Sequence, residues 1–162
     1  MFIKKKTNMK KILVVAIALI ASLNSFSQVQ VINVDKNESV TVGKLKSGLS
    51  FVADLEYKVD EKDTTFTLSF QDNRFTHITS IKSVSFNSDG DALNSVYSIF
   101  KSVFTEDNKK NKDYNVTFKL GQETVMVANS RMMGITYARL FVNNSYSLPL
   151  LESQVDKLFG KQ

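Results

Sequence analysis

The chain has 162 residues, with 21 Lys+Arg against 16 Asp+Glu, one His, one Pro, six Gly and neither Cys nor Trp. Those counts exclude a disulfide-stapled miniprotein, a thiolate metal site, a cysteine nucleophile and a collagen-like or Pro-rich chain. At 43% hydrophobic and 23% charged residues the composition is that of a globular protein, and it names no activity.

The positive charge is concentrated at the start. Lys4, Lys5, Lys6, Lys10 and Lys11 precede an apolar run from Ile12 to Leu23, and no acid occurs before Asp35. Beyond residue 27 the balance is 16 basic against 16 acidic residues, so no cationic excess remains to displace counterions from a nucleic-acid backbone. No nucleic-acid partner is expected. The lysines, the apolar run and the small residues Ser25 and Ser27 together resemble a bacterial secretory signal. The run falls short of the ~20 residues that a membrane-spanning helix needs. Residues 1–27 are therefore expected to be a signal peptide cleaved after Ser27, and 28–162 a single exported domain, periplasmic or at the cell surface, with no transmembrane segment after cleavage. Met9-Lys10-Lys11 would open a complete signal by itself, which leaves the start at Met1 or Met9 open. Without Cys, the mature domain must hold together by packing alone; a chain of this size buries about two-thirds of its unfolded surface.

Val29, Val31, Ile32, Val34, Val40, Val42 and Leu45 predict one or two strands over 29–45. From Leu49 to Val59 the odd positions are apolar, and Phe66, Leu68 and Phe70 alternate with Thr65, Thr67 and Ser69 after a polar turn at 60–63. One hairpin register pairs Tyr57 with Phe66, Leu55 with Leu68 and Ala53 with Phe70, so every apolar residue meets another. Asp72-Asn73 suits a two-residue turn that would set Phe70 against Phe75 and Leu68 against His77. The parity then slips before Val84 and Phe86, which predicts a bulge near Lys82-Ser83.

Ser88-Asp89-Gly90-Asp91 reads as a helix entry. Leu93, Val96, Tyr97, Phe100, Val103 and Phe104 recur at three and four, on one helical face. The Lys- and Asn-rich run from Glu106 to Asp113 reads as an exposed loop. Val116 and Phe118 lie opposite Val127 and Val125 across a Gly121-Gln122 turn. Ile135 to Val142 is apolar on both faces and is expected to be covered on both. Pro149, Leu151, Val155, Leu158 and Phe159, stopped by Gly160, predict a final short helix. The expected fold is α+β: a mostly antiparallel sheet of about six to eight strands, with one long amphipathic helix (about 91–105) on a face and a short C-terminal helix (about 149–159).

Catalytic chemistry finds little support. His77 is the lone imidazole, so a zinc site would be left with carboxylates, which zinc seldom favours. The acids fall in turns (Asp60, Glu61, Asp63, Asp72), at a helix start (Asp89, Asp91) or in the Glu106–Asp113 run, none within an apolar stretch that would raise its pKa. Asp89-Gly90-Asp91 would need an oxygen ligand twelve residues into a calcium loop, and Phe100 stands there. No two glycines form a phosphate-cradling pattern. His77, placed on an apolar face, reads as packing. Met132 and Met133 place two adaptable thioethers in a loop, suited to an apolar contact or to filling a gap.

The residues therefore favour a non-enzymatic binding or interaction protein whose partner is another protein or a cell-envelope component. One alternative is a carrier of a small apolar ligand held between sheet and helix, with Met132 and Met133 near its mouth. Another is a hydrolase using His77. Met132, Met133 and His77 are the candidate ligand contacts; no catalytic, cofactor-binding or metal-ligating residue is assigned, and no cofactor is expected.

Overall fold

A computed structural model describes residues 38–60, 63–75 and 77–161. The signal-peptide reading and any strand within 29–37 lie outside them. Among the described residues eight strands and three helices follow in order: β1 (Val40–Ser47), β2 (Ser50–Asp60), β3 (Asp63–Gln71), β4 (Ile81–Asn87), α1 (Ala92–Ser102), α2 (Glu106–Lys110), β5 (Asn115–Leu120), β6 (Glu123–Met132), β7 (Ile135–Val142), β8 (Ser145–Tyr146) and α3 (Glu152–Leu158). The class is α+β, but the strands form two antiparallel four-stranded sheets, β1-β2-β3-β4 and β5-β6-β7-β8, in place of one larger sheet. Periodicity shows which side chains share a face; it does not show which strand pairs with which. Here the helical connection through α1 and α2 ends the first meander. At the seam Gly121 lies so close to the Ser85 carbonyl that a Cβ would overlap it, and β4 and β5 form no ladder.

The inner faces are those the alternation implies. Tyr57, Leu55 and Ala53 pair with Phe66, Leu68 and Phe70, and Val116 and Phe118 pair with Val127 and Val125. One hydrophobic cluster takes Leu55, Leu68, Val84 and Phe86 from the first sheet, Val125, Val127 and Leu140 from the second, and Phe100 and Phe159 from the helical segments. The rings of Phe100 and Phe159 lie 5.5 Å apart and tilted, filling the region where α1 meets α3. On the outer face of the first sheet, hydroxyls run in rungs: Thr67 with Ser85 and Ser69 with Ser83, each at 3.0 Å. Asp54 lies on that face; burial and the neighbouring Glu56 carboxylate push its pKa up against the opposing pull of Lys44.

Several local expectations change. The helix expected over 91–105 ends at Ser102, where the Ser102 hydroxyl donates to the Ile99 carbonyl and the Asn108 side chain donates to the Ser102 carbonyl. Val103 and Phe104 stay buried in the turn that follows. The Glu106–Asp113 run begins as the one-and-a-half-turn α2, with acids first and lysines last, an order that complements the helix dipole. The C-terminal helix starts at Glu152, because Leu150 is still extended and exchanges two 2.9 Å hydrogen bonds with Ala138. Pro149 precedes this helix and takes no part in its first turn. Gln154 accepts the Leu151 N–H at 2.8 Å, and Gly160, at φ +64°, closes the other end with a Lys161 N–H to Asp156 C=O bond of 2.8 Å. On β7, Ala138, Leu140 and Val142 are buried, whereas Ile135 is exposed and Tyr137 and Phe141 are half-buried, so one face only is covered.

The Asp72-Asn73 hairpin is replaced by a longer connection. Phe70 pairs with Lys82, Leu68 with Val84 and Phe66 with Phe86, leaving a nine-residue loop from Asp72 to Ser80. The parity slip thus marks a loop, with no bulge needed. His77 is exposed on this loop and does not pack beside Leu68.

Candidate functional site: a braced, apolar loop edge

Two connections meet at one end of the first sheet. The β1–β2 turn is two residues long, Gly48-Leu49, bracketed by Ser47 and Ser50; Gly48 takes φ +60°, as a first turn residue of this hairpin class must. Leu49 therefore sits at the apex, and its side chain is 104% exposed. Just after this turn Val52 is buried as an unpaired extra residue in β2, which breaks the odd-numbered alternation between Ala53 and Leu49.

The second connection is the Asp72–Ser80 loop. Its base is closed by the Asp72 N–H, which donates to the Ser80 carbonyl at 2.7 Å. The Asp72 side chain is fully buried and accepts from the Arg74 backbone N–H at 3.1 Å, forming an Asx turn. Arg74 then folds back: Nε donates to Oδ1 and Oδ2 at 3.1 and 3.0 Å, and Nη2 donates to Oδ2 at 2.6 Å. The same Nη2 donates to the Ser145 hydroxyl at 2.9 Å, and the Asn73 N–H donates to the Tyr146 carbonyl at 2.9 Å. These bonds tie a loop of the first sheet to β8 of the second. From the other side the Gln71 amide donates to the carbonyls of Phe75 and Ile78 at 3.3 and 3.2 Å.

The backbone is thus tied at Asp72, Asn73, Phe75, Ile78 and Ser80, while the apolar side chains of Phe75 and Ile78 face out. Phe75 is 42% and Ile78 64% exposed, and the Arg74 guanidinium lies 5.3 Å from the Phe75 ring centre. Leu49, Phe51, Phe75, Ile78 and Leu148 line an open cleft of about 600 Å³, with His77 at its side. Loops carried on a rigid scaffold are the usual place for recognition, and exposed large apolar side chains gathered at one edge need an explanation where single scattered ones do not.

Among the described residues no carboxylate lines the cleft, and Asp72, the loop's own acid, turns both oxygens to Arg74. The Arg74 hydrogen bonds hold the Asp72 carboxyl far below the ordinary carboxylate range although burial opposes this. Because the folded pKa is depressed, the stabilisation is present at neutral pH and is lost as the pH falls below the unfolded value of about 4 towards the folded one. The melting temperature of the wild-type protein should therefore fall steeply below about pH 4, and Asp72→Asn should start lower at neutral pH and fall less over the same interval. Parallel pH profiles of the two proteins would contradict the assignment.

Other polar clusters serve the fold. Lys101 donates to Glu152 at 2.6 Å and to Asp156 at 3.0 Å, and the Tyr97 hydroxyl donates to Asp156 at 2.9 Å, clamping α1 to α3. Burial works against the charge on Asp156, but the Lys101 and Tyr97 bonds bring its pKa down on balance. Among the described residues no group of three His, Asp or Glu side chains could hold a metal ion.

Met132 and Met133 stand at the β6–β7 turn, away from the cleft that His77 borders. Met133 and Gly134 are its two turn residues, at φ +50° and +80°, and Met133 projects from the apex, lining a separate cleft with Lys112 and Arg131. The three candidate contacts are thus divided between two sites. Sequence reasoning placed Asp72 in a turn without its bracing role and missed Gln71, Arg74 and Ser145. The available signal was Asp72-Asn73-Arg74, an Asx-turn pattern as much as a hairpin one.

No protein-family model matches the chain, and no curated protein or solved structure is significantly similar to it.

Proposed function

We propose that this is an exported bacterial protein, periplasmic or at the cell surface, that acts without catalysis as a binding module and meets a cell-envelope component through the edge formed by Gly48-Leu49 and the Asp72–Ser80 loop. The observation that carries the reading is the pairing of large exposed apolar side chains with a loop backbone braced by buried Asp72. A loop fixed in this way loses little conformational freedom on binding, which is what makes a small contact area effective. The neutral charge balance beyond residue 27 and the absence, among the described residues, of an acid in the cleft beside His77 support binding over nucleic-acid recognition or hydrolysis.

Sedimentation with cell-envelope fragments tests this reading. The protein should be retained, and Leu49→Ser/Ile78→Ser should reduce retention about tenfold or more, as expected when two leucine-sized contacts are lost. A Lys58→Ala variant, exposed towards the far end of β2, should be retained like the wild type. Undiminished retention of the double variant would contradict the proposal.

A further inference from the structure

The edge's own segments carry cations and no exposed acid, and the acid nearest in the fold is Glu123 of β6, which lines a cleft with Lys82 and Arg74. Residues 39–53, which form β1 and the Gly48-Leu49 turn, contain no acid, and residues 73–88 contain none either. Lys46 and Lys82 are exposed at this end of the first sheet, where Lys46 pairs with Phe51 and Ile81 with Gln71, and neither lysine has an ion-pair partner among the described residues. Asp72 adds no repulsion, being buried against Arg74. Ile81 is also exposed, extending the apolar side chains from the loop into the start of β4.

The backbone at the apolar positions supplies a second, independent observation. A protein partner can offer hydrogen bonds to a docked loop; the acyl region of a bilayer cannot, so polar backbone entering it must be satisfied beforehand. Here the Phe75 and Ile78 carbonyls already accept from the Gln71 amide, and the Phe75 N–H already donates to the Asp72 carbonyl at 3.1 Å. Phe75 would thus enter with its own N–H and C=O satisfied and Ile78 with its C=O satisfied, while the flanking cations stay at headgroup level.

We infer that this edge docks on an anionic lipid surface, with Leu49, Phe75 and Ile78 entering the interface and Lys46 and Lys82 facing the headgroups. The inference rests on the binding-edge reading and names the surface it meets. The contact proposed is made by turn side chains; among the described residues no helix is long and apolar enough to cross a membrane. The combination of inserted apolar side chains with nearby lysines is the one that binds anionic bilayers at moderate strength and loosens with salt.

The test is co-sedimentation of the protein with vesicles of phosphatidylcholine alone or mixed with phosphatidylglycerol. Wild-type protein should bind the mixed vesicles and not the neutral ones, and should be released as salt is raised to about 0.5 M. Leu49→Ser and Ile78→Ser should each lower partitioning roughly tenfold, and Lys46→Gln/Lys82→Gln should remove the preference for anionic lipid, with thermal melts showing each variant folded. Equal binding to both vesicle types, or wild-type affinity in the Leu49 and Ile78 variants, would overturn the inference. Retention on envelope fragments without vesicle binding would overturn the lipid surface while leaving the binding edge standing, and would identify a protein or glycan partner; loss of both would overturn both.

Discussion

Truncation of Phe100 to alanine is expected to lower the free energy of unfolding by about 3–5 kcal/mol, the range for aromatic truncation in a filled core. The side chain is wholly buried, and its ring packs on Phe159, which in turn packs on Tyr97 at 5.6 Å. These three rings join α1 to the segment after α3, so truncating Phe100 leaves a cavity where the two meet. Urea melts should show a lower midpoint with an unchanged slope. A loss under about 1 kcal/mol would show that the ring does not occupy the centre of the packing.

Gly43→Ala should be nearly as damaging, at the upper end of the roughly 1–3 kcal/mol that overpacking costs. A methyl group on Gly43 would overlap the backbone carbonyl oxygens of Lys157 and Leu158, at the C-terminal end of α3. That end cannot easily retreat. Its last turn is fixed by the Gly160 and Lys161 amides bonding back to Lys157 and Asp156, and Gly160 itself lies against Val42 of β1. The added atom must push the helix off the strand and disturb buried Leu158 and Phe159 with it. Melting temperature and protease susceptibility near residues 150–161 would report this. An alanine variant as stable as the wild type would mean that α3 does not dock on β1 as described.

The same physics explains what the sequence reveals. The β2–β3 and β5–β6 registers are legible because each strand alternates cleanly and only one offset sets apolar against apolar. Phe75, Thr79 and Ile81 continue that alternation by coincidence, and the loop that contains them is organised by Gln71 and Asp72 through side-chain to backbone bonds, which leave no periodic trace. Leu49 likewise continues the odd-numbered series yet caps a turn, because Val52 shifts the register first. The division into two sheets is invisible to periodicity for a related reason: a strand's pattern records the side it buries and is silent about its lateral neighbour. The candidate edge is hidden by its own composition, since apolar residues that stand on turns look like core until the turns are placed.

Amide hydrogen exchange gives the most direct test of a pre-formed edge. The Asp72, Asn73 and Phe75 amides, bonded to Ser80, Tyr146 and Asp72 carbonyls, should exchange slowly in the wild-type protein and much faster in Asp72→Asn, while Leu55 and Leu68 in the strands stay protected in both. Rapid exchange of the three loop amides in the wild type, at the rate of unstructured chain, would show that the loop is not braced and that its exposed apolar side chains form no fixed surface.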